Sequence, residues 1–190
     1  RLRLGGHAPA PIRAADDGYW LVGTQTAAGP SGVATGRAAA VALVVARLES
    51  DGAVRWTRSY DSGPFPGYSF FEAGGTAQDF GWDVAPLADG GAIVAAWTKA
   101  DLRTSPTSGN VGRGAWAARL AANGSVVWSR RISDAPFEHL ENEPTDMRVL
   151  ATAQGGALIV TSIGVRSLVT SATIVSHLDS GGARRWSATS

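Results

Sequence analysis

The chain has 190 residues, enough for one domain with a substantial core; 44% are apolar and 24 are glycine, a turn-rich globular composition. A net charge of +1 excludes a strong overall field toward nucleic acid or an anionic surface. Cysteine is absent, which excludes disulfides, thiolate zinc sites and cysteine nucleophiles and fits export and cytoplasm equally. Lys99 is the only lysine; with the high alanine content this reads as codon bias, not as an arginine-based binding function.

In chain order the first predicted strands are 12–15, 19–26, 39–48 and 54–60. Alanine-rich 37–48 also fits a helix on propensity, but its counterpart 171–178 carries Thr173, Ile174 and Val175, so strand is the reading adopted. A second group of four is predicted at 81–85, 92–98, 115–120 and 126–132, and a third at 146–151, 157–163, 172–178 and 183–188. Tight hairpins are signalled by Asp17-Gly18, Asp89-Gly90-Gly91 and Asn123-Gly124, because their central positions need positive φ. The longest apolar stretch, 38–46, is far short of the roughly 18 residues of a membrane helix. The chain opens on Arg1 and closes just after Trp186, so both ends are expected to be cuts in something longer.

The three groups are copies of one unit. Leu48, Gly52 and Trp56 return at the same spacing as Leu120, Gly124 and Trp128, and again as Leu178, Gly182 and Trp186. Upstream, Asp17-Gly18-Tyr19-Trp20 corresponds to Asp89-Gly90-Gly91-Ala92 and then to Gln154-Gly155-Gly156-Ala157. Four-stranded units of this size read as β-propeller blades, giving an all-β fold of three four-stranded antiparallel blades in an incomplete ring. The blades cover about 10–60, 81–132 and 145–188 of one propeller domain. In each, glycine permits the turn between the third and fourth strands. Trp56, Trp128 and Trp186 then wedge against the neighbouring blade, burying on the order of 200 Å² of ring each.

The unit resembles the tryptophan-docking motif of quinoprotein-type propellers, with Ala, Asp, Thr, Gly and Trp at positions one, three, six, seven and eleven. Ala46, Gly52 and Trp56 match the first, seventh and eleventh, as do Ala118, Gly124 and Trp128; in the third copy only Gly182 and Trp186 match. Leu48, Leu120 and Leu178 replace the aspartate, and Asp51, Asn123 and Gly181 the threonine. The unit is also similar to the Leu-x-x-x-Gly-x-x-x-Trp blades of bacterial exported propellers. That resemblance implies a periplasmic, cell-surface or secreted setting, and an architecture that hosts enzymes, lectins and scaffolds alike.

Loop lengths direct the search for function. The connections at 16–18, 49–53, 88–91, 121–125, 154–156 and 179–182 are tight, whereas 27–36, 61–80, 99–114 and 133–145 are long and leave from the opposite face. Loop 61–80 carries Phe65, Tyr68, Phe70, Phe71, Glu72 and Phe80. Exposed, these form a binding surface; folded back, they cap the propeller's own end. Loop 133–145 carries Asp134, Glu138, His139, Glu141, Asn142 and Glu143, hard donors of the kind Ca²⁺ takes, but without the alternating spacing of a calcium loop. A solvated acidic loop is therefore the expectation, and no cofactor or metal is assigned.

There is no Gly-x-Ser-x-Gly, no phosphate-binding Gly–Lys–Ser/Thr and no His-Glu-x-x-His, and His7, His139 and His177 are isolated from one another. A carboxylate pair such as Glu72 with Glu138 could face each other across the long-loop end, as a glycosidase needs. No catalytic residue is assigned. The expectation is a non-enzymatic binding or assembly module that meets a protein partner on the long-loop face. Further blades, from self-association or a second chain, would complete the ring, with no nucleic acid and no membrane insertion. A carbohydrate-binding or glycan-processing propeller and a fragment of a quinone-dependent dehydrogenase are the alternatives.

Overall fold

The computed structural model describes residues 12–13, 18–26, 41–60, 77–100, 113–132, 144–165 and 170–190. All of the described regular structure is β: eleven strands of six to ten residues and one two-residue strand. In chain order these are β1 (Ile12–Arg13), β2 (Tyr19–Thr26), β3 (Val41–Leu48), β4 (Val54–Tyr60), β5 (Ala77–Pro86), β6 (Ala92–Ala100), β7 (Arg113–Leu120), β8 (Val126–Arg131), β9 (Pro144–Ala151), β10 (Ala157–Val165), β11 (Thr170–Leu178) and β12 (Arg184–Thr189).

They form three antiparallel meanders: β2–β4 with β1 on the edge of β2, then β5–β8, then β9–β12. Among the described residues one parallel bridge, Val41 with Gln78, ties the first to the second. The alanine-rich segment is strand from Val41, where Val41, Val44 and Val45 suit a pleated, two-sided position. The first strand of the second meander begins four residues earlier than the pattern indicates. Phe80 therefore lies inside β5, paired with Trp97 across the ladder, and not in the preceding connection.

The meanders stack face to face. β5 packs on β2 and β3, and β9 packs on β5 and β6. Trp20, Val22, Leu43 and Val45 of the first sheet meet Val84, Val94, Ala96, Trp116, Ala118 and Leu120 of the second. On the other face of the second sheet, Ala85, Ile93, Ala95, Trp97, Ala117 and Trp128 meet Met147, Val149, Ala157, Ile159 and Leu178 of the third. The middle sheet is thus buried on both sides, with small alanines where facing sheets come close and tryptophans filling the remaining depth.

Every β3–β4-type turn has the same construction. Glu49 N–H donates to the Ala53 carbonyl and Gly52 N–H to the Glu49 carbonyl; Ala121 to Ser125 and Asp179 to Ala183 are closed identically. Gly52, Gly124 and Gly182 sit at φ of 84°, 79° and 79°, the left-handed region that favours glycine. Just past each turn the register slips by one: Leu48 faces Val54 but Arg47 faces Trp56, with the same slip at Leu120 and Arg119 and at Leu178 and His177. The extra residue is a β-bulge, and it reverses which face the next side chain takes. Leu120 therefore points back to the first sheet while Trp128 points forward to the third.

One correspondence read from the sequence shifts by a residue. A Cβ on Gly18, Gly91 or Gly156 would run into the carbonyl of Leu48, Leu120 or Leu178 respectively, so these three glycines are structural equivalents. Gly18 thus matches Gly91, not Gly90, and Trp20, paired with Arg47, stands where Ile93 is paired with Arg119. Five residues separate the paired strand ends in both hairpins, Arg13 with Tyr19 and Pro86 with Ala92, so the first Asp-Gly pair falls one position later than its counterpart, which matching the Asp-Gly pairs to each other cannot detect.

Candidate functional site

The most completely built feature is the joint between successive sheets at their tight-turn end. Trp56 leaves β4 of the first sheet and lies over the turn of the second: its indole N–H donates to the Ala122 carbonyl (3.1 Å), and a Cβ on Gly124 would come within 3.0 Å of the ring. Tyr60, four residues further along β4, donates its hydroxyl to the Gly124 carbonyl (2.7 Å). Burial holds that phenol above its usual pKa, against an opposing pull from Arg58. Trp128 repeats the arrangement on the third sheet, with its N–H on the Ser180 carbonyl (2.9 Å) and its ring 2.7 Å from where a Gly182 Cβ would stand.

Polar side chains lock the same joints. Thr24 Oγ1 accepts from Gly81 N–H across the first (3.2 Å). Across the second, Asp83 Oδ2 accepts from Val149 N–H (2.9 Å) while Oδ1 accepts from Val84 N–H. Arg119 spans two sheets, with Nη1 on the Ser180 carbonyl (3.1 Å) and Nη2 on Asp89 (2.7 Å). The Asp89 carboxyl is held below its usual pKa by the Gly91 backbone N–H first and then by Arg119. Arg47 donates instead to the carbonyls of Tyr19 and Leu48 and lies 5.5 Å from the Trp20 ring centre. Sequence reading passed over these residues, although an arginine directly before the leucine in two of the three units was a visible signal.

The third tryptophan differs. Trp186, expected to wedge like the others, is 48% exposed, and all of β12 is exposed. Among the described residues its ring rests against His177, at 5.6 Å. The physical reason is that no described sheet follows the third, so the bulge turns Trp186 toward an open face. At the opposite end of the stack, Gly52 has nothing within 4 Å of its Cβ position.

Of the other residues singled out from the sequence, Phe80 is placed in β5. Phe65, Tyr68, Phe70, Phe71, Glu72, Glu138, His139 and Glu141 lie outside the described residues, as do Asp134, Asn142 and Glu143 of the same acidic loop. Among the described residues no group of three His, Asp or Glu is arranged to hold a metal ion. No described helix is long and apolar enough to cross a membrane. No protein-family model matches the chain, and comparison with curated proteins finds no match either.

Proposed function

We propose that the three meanders are blades of a β-propeller and that the protein is a non-enzymatic binding or assembly module. Its partner is a protein, met on the face opposite the tight turns. Three blades are fewer than the ~4–8 that close a propeller ring, so further blades from the same polypeptide, a second copy or a partner chain complete it. An exported setting accompanies this reading through the resemblance of the Leu–Gly–Trp units.

The observation that carries it is the asymmetry of the two ends. The turns closed by Glu49–Ala53, Leu87–Gly91, Ala121–Ser125, Thr152–Gly156 and Asp179–Ala183 share one end and one hydrogen-bond pattern. The stretches 27–40, 61–76, 101–112 and 133–143 all connect strands at the other end. A rigid scaffold with its long connections on one face is how binding surfaces are commonly built. The test is proximity labelling in the source cell, comparing the native chain with a variant carrying Phe65→Ser, Tyr68→Ser, Phe70→Ser and Phe71→Ser. One protein marked by the native chain and lost in the variant supports the reading; identical labelling overturns it. Glycan-array binding that disappears in the same variant would instead favour the carbohydrate alternative, and pyrroloquinoline quinone binding with calcium the dehydrogenase one.

A further inference from the structure

Asn123 and Gly124, on the turn between β7 and β8, form the one Asn-Gly pair of the chain; Asn110 is followed by Val111 and Asn142 by Glu143. Asn123 is exposed, and its Oδ1 accepts from two donors, the Ser125 N–H (2.9 Å) and the Ser125 hydroxyl (2.8 Å). These donors polarise the side-chain carbonyl and stand where negative charge gathers when a nucleophile attacks its carbon. The next backbone nitrogen belongs to Gly124, which has no side chain to hinder such an attack. That nitrogen is held back, because Gly124 N–H closes the turn on the Ala121 carbonyl (2.8 Å). The first sheet clamps the closed turn from outside, with the Trp56 N–H on the Ala122 carbonyl and the Tyr60 hydroxyl on the Gly124 carbonyl.

We infer that Asn123–Gly124 is a self-modification site, and that the joint between the first two sheets sets its rate. When the turn opens, the Gly124 nitrogen gives its proton to solvent base and bonds to the Asn123 Cγ. The Cγ–Nδ2 bond breaks, ammonia leaves, and a cyclic imide forms within the chain, an attack favoured by being intramolecular. Water then opens the ring at either carbonyl, leaving aspartate or isoaspartate, with nothing oxidised or reduced. Aspartate fits this turn: Asp51 stands one residue before the corresponding Gly52, with its Oδ1 on the Ala53 N–H (2.9 Å). Isoaspartate adds a main-chain carbon between the Ala122 and Gly124 carbonyls that Trp56 and Tyr60 hold, and so loosens the joint. The pair is thus a timer on the first joint, slow while the joint is closed. Neither the long-loop face nor the completion of a ring enters this inference.

The experiment incubates the 190-residue chain at mildly alkaline pH and follows Asn123 by peptide mapping, with enzymatic isoaspartyl methylation to read the isoaspartate. The folded chain should convert at least about ten-fold more slowly than the same chain in guanidinium chloride. Tyr60→Phe keeps the ring but removes the bond to Gly124, and should speed conversion of the folded chain about five-fold. Trp56→Phe removes the bond to Ala122 and should act in the same direction, with circular dichroism checking the fold of each variant. Thr57→Val, an exposed change on the same strand, should leave the rate unchanged. Converted chain, separated by its added negative charge, should unfold at lower urea than Asn123→Asp, which has the same charge without the extra carbon. No conversion at Asn123 in denaturant would overturn the site. Equal rates in folded and denatured chain, or rates in both folded variants equal to that of the native chain, would overturn the gate. Converted chain as stable as Asn123→Asp would overturn the timer.

Discussion

Gly52, Gly124 and Gly182 share a backbone conformation but not a neighbourhood. At Gly182 a Cβ would meet the Trp128 ring at 2.7 Å, whereas at Gly52 it would meet nothing. Gly52→Ala therefore carries only the left-handed backbone strain, about 1 kcal/mol, while Gly182→Ala adds displacement of a buried ring and costs about 3 kcal/mol. Urea denaturation at concentrations that hold a single copy reads the difference, and equal losses would show that the ring contact contributes nothing. The tryptophans divide in the same way. Trp128, 7% exposed and hydrogen-bonded, should cost about 3–5 kcal/mol on truncation to alanine. Trp186→Ala should change single-copy stability by less than about 1 kcal/mol.

At the scale of elements, the joints depend on polar groups as well as on area. Asp83 reaches from β5 to the Val149 N–H of β9, and its removal leaves a part-buried donor without its acceptor. Asp83→Ala should lower stability by about 2 kcal/mol, with faster hydrogen exchange at Val149 as the local signature. The turns carry an acid-sensitive contribution. Asp89 is held below its usual pKa by the Gly91 N–H and Arg119, and Asp179 by the Ala183 N–H first and then by the charge of Arg185. A lowered folded-state pKa contributes stability that is present above the unfolded value of about 3.9 and lost as pH falls through the folded one. The urea midpoint should therefore fall on acidification below about pH 5. In the Asp89→Asn, Asp179→Asn double variant the neutral-pH midpoint should be lower and the acid-induced drop smaller. An unchanged pH profile would show that these two turns do not contribute.

For the whole molecule, stability is concentrated in the middle. Ala92, Ile93, Val94, Ala95 and Ala96 of β6 are fully buried between two partner sheets, while every side chain of β12 is exposed. Native-state hydrogen exchange should be slowest in β6 and β7 and fast in β12, whose side chains are all exposed.

The strand order, the hairpins and the equivalence of Leu48–Gly52–Trp56 with its two counterparts were legible in the sequence, because glycine at positive φ and alternating apolar residues are local requirements. Phe80 was not, since a strand's start depends on how far its partner β6 extends, not on its own residues. Nor was the one-residue shift at Gly18, which appears only when each glycine is set against the carbonyl it must avoid. Tertiary structure alone decided the fate of the tryptophans. Their spacing is identical in all three units, and the bulge aims each of them forward, but burial requires a sheet to be there. Trp56 and Trp128 have one beneath them, and among the described residues Trp186 does not, because burial belongs to a pair of surfaces and a sequence pattern describes only one of them.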